Sequence, residues 1–220
     1  PALVAKGEPQ EYGDPFKIIP NNTSDEMAPV PSPSGDLLAA FTTYKQDVDV
    51  VLFNIPERRL LKNLTSGYTN RYEYPIAQSF TTAPRMGRDI AFAPNGDQIA
   101  LFVRKERGRN LLLINPLSGE IVRSIPMQVE QQLSPAYSPD GAAIAYIGIP
   151  YVNEAGRNAR IFTIPANGGE PRCLTAGLDR TCQAFGGSGG PEWSADGRTL
   201  SFVIEDQGDV PVYQVAADGS

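Results

Sequence analysis

The hydrophobic and polar positions along the chain follow a pattern that recurs four times. Each copy has a short apolar stretch, a turn with Gly at its fourth position, and a second apolar stretch interrupted by small residues. The four copies are APVPSPSGDLLAAF (28–41), DIAFAPNGDQIALF (89–102), SPAYSPDGAAIAYI (134–147) and GPEWSADGRTLSFV (190–203). Their turn glycines, Gly35, Gly96, Gly141 and Gly197, are 61, 45 and 56 residues apart. Such a recurrence indicates an array of similar structural units.

Each copy predicts a strand, a tight turn and a second strand. The turn has Pro or Ala at its second position and Ser, Asn or Asp at its third, followed by Gly, which is typical of type I turn chemistry. A bulky residue lies four positions before each glycine: Pro31, Phe92, Tyr137 and Trp193. No segment has a helical period over three turns. The pattern therefore predicts an all-β protein.

Further apolar stretches complete each unit. A third strand is predicted at DVVLFNI (49–55), NLLLIN (110–115), RIFTIP (160–165) and PVYQV (211–215). A fourth is predicted at LLKNLT (60–65), EIVRSIP (120–126) and PRCLT (171–175). Four-stranded units of about 45 residues are what the blades of a β-propeller require.

The residues of one unit resemble those of a known family. An S-P-D-G turn followed by x-x-I-A-x, an I-Y-like strand and G-G-E-P-x-x-L-T is similar to the WD-like repeat of TolB-type β-propellers. Residues 134–175 match best, 28–65 and 190–219 match well, and 86–126 match more loosely. The resemblance implies an all-β propeller with four-stranded blades.

The repeat also predicts how the chain is organised. We expect a single propeller region over 1–220, with about four visible blades. The blade segments are 1–20 (the end of a preceding blade), 21–85, 86–126, 127–175 and 176–220 (incomplete). We therefore expect this chain to be a fragment of a larger propeller. Open blade edges would then allow self-association.

Composition narrows the possible functions. The formal net charge of −6 disfavours nucleic-acid binding, which rests on clustered Lys and Arg. No apolar run approaches the roughly 18 residues of a membrane span. With no histidine, and no cofactor-binding motif, we expect neither a metal nor a cofactor. Cys173 and Cys182 could form a disulfide or remain two buried thiols, and the sequence leaves both open.

One short motif has the form of a catalytic site. GGSGG (186–190) contains G-x-S-x-G, the signature of a serine hydrolase nucleophile elbow. That elbow needs a strand before it, a helix after it and a histidine base. Here Pro191 and a predicted strand follow, and the chain has no histidine. We interpret the stretch as a connection between two blades and expect no catalytic residue, Ser188 included.

The longer connections indicate where a partner would bind. Because successive strands of a blade run in opposite directions, alternate connections lie on the same face. The connections 65–85, 148–158 and 175–190 are therefore expected on one face and the short turns on the other. Long loops on a rigid scaffold commonly carry function. The residues expected to form a partner-binding face are Tyr68, Tyr72, Tyr74, Tyr151 and Arg107. The alternatives are that these tyrosines pack under their own loops and that RKERGR (104–109) is a solvated hairpin tip.

These observations lead to two hypotheses of function. The first is a non-catalytic, protein-binding propeller module of a cell-envelope or secreted bacterial protein, which would be periplasmic or extracellular. The resemblance implies such a role, because TolB-type propellers contact envelope proteins, including a peptidoglycan-associated lipoprotein. The second is an accessory propeller that gates a larger peptidase or other hydrolase whose catalytic domain lies outside this chain.

Overall fold

The computed structural model is an all-β structure with its strands in four antiparallel sheets. It describes residues 26–43, 48–68, 74–75, 89–105, 108–128, 130–150, 157–183 and 190–219. Within these ranges there are strands, turns and bends and no helix. The all-β prediction is therefore confirmed for the described residues.

Each sheet forms one blade. Blade 1 contains β1 (Glu26–Pro31), β2 (Leu37–Thr42), β3 (Asp49–Asn54) and β4 (Arg59–Asn63). Blade 2 contains β5 (Tyr74–Pro75), β6 (Ile90–Phe92), β7 (Ile99–Lys105), β8 (Gly108–Ile114) and β9 (Ile121–Met127), and β5 and β6 pair with successive parts of β7. Blade 3 contains β10 (Glu130–Tyr137), β11 (Ala143–Ile149), β12 (Arg160–Pro165) and β13 (Arg172–Cys173). Blade 4 contains β14 (Glu192–Trp193), β15 (Thr199–Val203) and β16 (Val212–Ala216).

The hydrophobic core lies between the blades. In β7, Ile99 and Leu101 pack with residues of blade 1, whereas Ala100 and Phe102 pack with residues of blade 3. This alternation follows from the two-residue period of a strand, so both faces of a blade are buried. Tyr146 of blade 3 illustrates the packing, because its ring lies 5.5 Å from Phe102 in an edge-on contact and 5.3 Å from Phe162 in a stacked one.

The inner strands follow one another around a common axis. β1 contacts β6, β6 contacts β10, and β10 contacts β14. The turns after these strands stack in the same order: a Cβ built on Gly96 would lie 3.9 Å from Cδ of Pro33. The equivalent distances are 3.6 Å from Gly141 to Pro94 and 3.6 Å from Gly197 to Pro139. The four predicted turns therefore lie along one rim, the turn face of the propeller.

Candidate functional site

The turn face is built from one hydrogen-bonding pattern. In blade 4, Gly197 N donates to Ser194 O (2.9 Å), and Ser194 Oγ donates to Asp196 Oδ1 (2.6 Å). Asp196 Oδ1 also accepts from Arg198 N (3.1 Å), and Ser194 Oγ accepts from Thr199 N (3.0 Å). Gly197 has φ +70°, a left-handed conformation that glycine adopts without steric cost. The hydrogen-bonding groups of this turn are thus paired with one another.

Blade 3 repeats this pattern with Ser138 and Asp140. Ser138 Oγ donates to Asp140 Oδ1 (2.6 Å), and Asp140 accepts from Ala142 N (3.0 Å). The serine hydroxyl is the main reason that the pKa of Asp140, and that of Asp196, lies below its usual value. Both carboxylates are therefore held in their charged form on the turn face.

A cavity of about 560 Å³ lies at the turn end of the axis, among the inner strands of all four blades. Three aromatic residues line it, Phe92, Tyr137 and Trp193, together with prolines of blades 1, 3 and 4. Trp193 Nε1 donates to Ala136 O (3.0 Å), which fixes the indole between blades 3 and 4. The lining also includes the carboxylate of Glu192. This axial cavity can hold apolar groups.

The phenol of Tyr137 is a hydrogen-bond donor in this setting. Its hydroxyl donates to Gln98 Oε1 over 3.5 Å. Burial, and to a lesser extent the charge of Asp97, raises the pKa of Tyr137 above its usual value. The hydroxyl therefore stays protonated at neutral pH, and it cannot serve as a base.

Beside the axial cavity, the inner strands of blades 3 and 4 are closely packed. A Cβ built on Gly190 would lie 2.3 Å from Cβ of Ser134, so the inner strands of blades 3 and 4 come into direct contact here. Ser134 itself is buried and has φ +53°. Asp89, at the equivalent position of blade 2, is also buried. The sequence analysis did not predict this contact. A signal was present, because Gly190 is the first residue of the fourth copy of the repeat, and glycine allows close approach of a neighbouring strand.

A second cavity adjoins the first. This interblade cleft of about 680 Å³ lies between blades 2 and 3 on the turn face, and Tyr137 and Pro139 line both spaces. Its walls carry the side chains of Asp97, Asp140 and Arg123. Sequence reasoning assigned only short turns to this face and found neither cavity.

The predicted partner-binding residues lie partly outside the described structure. Tyr68 is 6% exposed and packs in the core between blades 1 and 2, so its ring offers little surface to a partner. Tyr74 lies in β5, and its side chain is not described. Tyr72, Tyr151 and Arg107 fall outside the described residues, as does Ser188. The partner-binding face that these residues would form stays a prediction.

On this loop face, the connection after blade 3 is held by individual contacts. Arg160 donates to the carbonyl oxygens of Thr175 and Leu178. Arg180 forms an ion pair with Asp206 at 2.6 Å, which ties the connection to the β15–β16 hairpin of blade 4. The segment 175–183 is therefore a fixed part of the propeller.

The two cysteines are free thiols in this structure. Cys182 is buried and its Sγ lies 3.5 Å from Thr175 Oγ1. Burial raises the pKa of Cys173 and of Cys182, which keeps both thiols protonated. Of the two alternatives that the sequence left open, the structure has unpaired thiols.

The acidic stretch 205–209 forms a tight hairpin, in which Asp206 and Asp209 exchange backbone hydrogen bonds of 3.0 and 2.9 Å. Across the described ranges, no group of three or more Cys, Asp or Glu side chains is arranged to hold a metal ion. No helix there is long and apolar enough to cross a bilayer.

Comparison with known proteins adds to this geometry. No protein-family model matches the chain. An uncharacterised protein of Agrobacterium fabrum, Atu1656, is 26% identical over 132 residues, which cover 60% of this chain and 41% of that protein. The chain thus spans less than half of that relative.

Solved structures show the fold. TolB from Acinetobacter baumannii superposes with a TM-score of 0.59 at 13% identity, covering 88% of this chain and 43% of TolB. This chain has the fold of the TolB and WD40 β-propellers. The C-terminal WD40 domain of Sif2 covers 91% of this propeller and 45% of its own chain, with a TM-score of 0.50 at 15% identity. A prolyl endopeptidase covers 88% of it and 28% of the peptidase, with a TM-score of 0.56 at 13% identity.

Proposed function

We propose that this propeller is a non-catalytic module that takes an apolar segment of a protein partner into its axial cavity. The observation that carries the proposal is the cavity itself, a preformed space of about 560 Å³ lined mainly by prolines and aromatic rings. Preformed apolar cavities with a few polar groups are typical binding sites. Aromatic side chains in such positions contribute large contact areas at low entropic cost.

The chemistry of the lining supports binding rather than catalysis. Trp193 and Tyr137 use their polar atoms in hydrogen bonds to Ala136 and Gln98, and they present apolar rings to the cavity. Burial raises the pKa of Tyr137, so its hydroxyl remains a neutral hydrogen-bond donor at neutral pH. The resemblance to TolB-type propellers supports a periplasmic or secreted location, which forms part of the proposal. The loop face with Tyr72, Tyr74, Tyr151 and Arg107 is proposed as an additional contact surface.

Capture of the partner from an envelope extract tests the axial site. Pro31 lines the cavity with an exposed side chain, so Pro31→Glu places a charge at its mouth. Leu117 is 71% exposed on a turn between β8 and β9, and Leu117→Glu is the matched control. We expect Pro31→Glu to abolish capture and Leu117→Glu to preserve it, with both variants folded by circular dichroism. Capture that survives Pro31→Glu but is lost when the connection 148–158 is shortened would move the site to the loop face.

The second candidate is an accessory propeller of a hydrolase. The similarity to a prolyl endopeptidase, of which this chain covers 28%, favours it. Sequencing the encoding gene on both sides of these 220 codons decides between the two. A downstream domain with a G-x-S-x-G nucleophile, an Asp and a His would support the accessory role, and flanking sequence made only of further blades would support the binding module.

A further inference from the structure

Three outer-strand cations occupy the same position in successive blades. Lys62 lies opposite Leu52, Arg123 opposite Leu113, and Arg172 opposite Thr163 in the strand registers. In blades 1 and 2 the strand partner of the cation is buried against the following blade, as part of the cores between blades 1 and 2 and between blades 2 and 3. The three side chains therefore start from equivalent positions relative to the next blade.

Two of the three cations bond to the next blade. Lys62 Nζ donates to the carbonyl oxygens of Leu117 (3.3 Å) and Ser118, in the β8–β9 turn of blade 2. Arg172 Nη1 donates to the carbonyl oxygen of Asp218, in the corresponding turn of blade 4. We call this bond an interblade clasp. A Cβ built on Gly119 would lie 3.2 Å from Lys62 Nζ, and one built on Gly219 would lie 3.6 Å from Arg172 Cδ, so both clasps are closed.

The clasp between blades 2 and 3 is open. The carbonyl equivalent to those of Leu117 and Asp218 belongs to Asn167, and Arg123 donates no hydrogen bond to it or to any other described residue. A Cβ built on Gly168, in the same turn as Asn167, would meet no atom within 4 Å. The interblade cleft of about 680 Å³ lies here, and Arg123 and Asn167 both line it. A guanidinium group with five donors thus borders an open cleft and has no acceptor among the described residues.

The inner part of the same cleft has the opposite charge. Asp97 and Asp140 line it where it meets the axial cavity at Tyr137 and Pro139. One carboxylate oxygen of Asp140 is used by Ser138 and Ala142, and the Asp97 carboxylate forms no hydrogen bond to a described residue. Between these walls, Ala142 and Ala166 supply apolar surface. The cleft therefore presents two carboxylates near the axis, an apolar surface and a cation at its outer end.

We propose that the interblade cleft binds a basic, extended segment of the protein partner that runs outward from the axial cavity. A Lys or Arg side chain of that segment lies beside Asp97 and Asp140. A backbone carbonyl oxygen of the segment accepts from Arg123, replacing the turn carbonyl that closes the other two clasps. The inference rests on the proposed function, because the axial cavity supplies the apolar anchor.

A peptide panel provides the probe. It consists of end-capped, fluorescein-labelled ten-residue peptides with one Trp, followed two to six positions later by Lys, Gln or Glu. We expect the intact 220-residue chain to bind the Lys series about fivefold more tightly than the Gln series at the best spacing, as expected for exposed charge pairs. The Glu series should bind more weakly than either. Fluorescence anisotropy measures each dissociation constant.

Matched variants then separate the clasp position from its charge. Arg123→Met should weaken binding of all three series about tenfold and leave the melting temperature unchanged, because Arg123 bonds to none of the residues that the structure describes. Lys62→Met and Arg172→Met should leave binding unchanged and lower the melting temperature by about 2 °C, because they open closed clasps. Asp97→Asn with Asp140→Asn should remove the preference for Lys over Gln.

The outcomes distinguish the two proposals. Suppose that Pro31→Glu abolishes binding, that the wild-type chain does not prefer Lys, and that Arg123→Met has no effect. These results would overturn the proposal for the cleft and leave the axial site standing. A preference for the Glu series would overturn the proposal that the partner's segment is basic. If no peptide of the panel binds the wild-type chain, both proposals are overturned.

Discussion

The turn face and the loop face of this propeller are built in different ways. On the turn face, the same Ser–Asp–Gly hydrogen bonds recur in blades 3 and 4, and the same proline-on-glycine contact links each pair of blades. On the loop face, the connection after blade 3 depends on Arg160 and on the Arg180–Asp206 ion pair, which have no counterpart in the repeat pattern. Each turn of the turn face is formed by hydrogen bonds between residues close in sequence, whereas the connection after blade 3 is held by side-chain contacts over 15 to 26 residues.

The two faces therefore differ in how much of their structure can be recognised in the sequence. A turn four residues long is determined by its own residues, so its copies can be recognised by alignment. A connection such as 175–183 is determined by which carbonyl oxygens lie within reach of Arg160, and only the assembled sheets decide that.

Gly190→Ala should have the largest effect. A Cβ at this position would lie 2.3 Å from Cβ of Ser134 and 3.2 Å from its carbonyl oxygen, so the inner strands of blades 3 and 4 must separate. Overpacking of this kind costs about 1 to 3 kcal/mol, and we expect a value near the upper end. Urea unfolding followed by tryptophan fluorescence measures the loss. An unchanged unfolding midpoint would mean that the two strands are not in contact.

Arg160→Met should loosen the loop face selectively. The substitution removes hydrogen bonds to the carbonyl oxygens of Thr175 and Leu178, and bonds to charged groups contribute about 2 kcal/mol. We expect faster amide hydrogen exchange in 175–183, with unchanged exchange at the turns of blades 1 and 2. Arg198→Met, at a side chain that is 85% exposed, is the control and should change neither. Uniformly faster exchange throughout the protein would contradict a local role.

Gly197→Ala should weaken the turn face through backbone strain. Gly197 has φ +70°, and an alanine in this left-handed conformation costs about 1 to 2 kcal/mol. Gly177, on the loop face, has no positive φ and no atom within 4 Å of its Cβ position, so Gly177→Ala should be neutral or slightly stabilising. Thermal unfolding of the two variants measures the contrast. Equal losses of stability in the two variants would show that the left-handed conformation of the turn glycine is not the cause.

Acidification should affect the turn face weakly but measurably. The pKa values of Asp140 and Asp196 lie below the usual value near 4, chiefly because Ser138 and Ser194 donate to them. Their contribution to stability is therefore present above about pH 5 and is lost as the pH falls through the lowered pKa. Replacing both serines with alanine should flatten this part of the pH profile in urea unfolding between pH 6 and pH 3. A profile parallel to that of the wild type would contradict the assignment.

Much of the fold could be predicted from the sequence. The aligned glycines predicted the turns, and the apolar stretches around them predicted strands such as Ile99–Lys105. That such a strand is buried on both faces emerged only from the structure. The four sheets follow one another along the chain in the order of the four repeats, and the predicted bounds of the blade segments stay a prediction. PRCLT was predicted as a strand, and in the structure only Arg172–Cys173 is one, although Leu174 N still bonds to Ile161 O.

The candidate site could not be predicted to the same extent. Lys62, Arg123 and Arg172 align three positions before the end of their predicted strands, so the signal for a shared role was present. Whether each cation reaches a carbonyl oxygen depends on the rotation between neighbouring blades, which sequence spacing does not contain. The axial cavity depends in the same way on four inner strands that are far apart in the chain.

The contact of each turn proline with the following turn glycine runs in one direction around the axis, from Pro33 to Gly96, from Pro94 to Gly141 and from Pro139 to Gly197. A head-to-tail contact between unlike surfaces contains nothing that limits how often it is repeated. The number of blades is therefore set by the angle between sheets rather than by the turn itself. Duplicating or excising one whole unit would preserve every junction of this kind, which gives such a protein a simple route to grow or shrink during evolution.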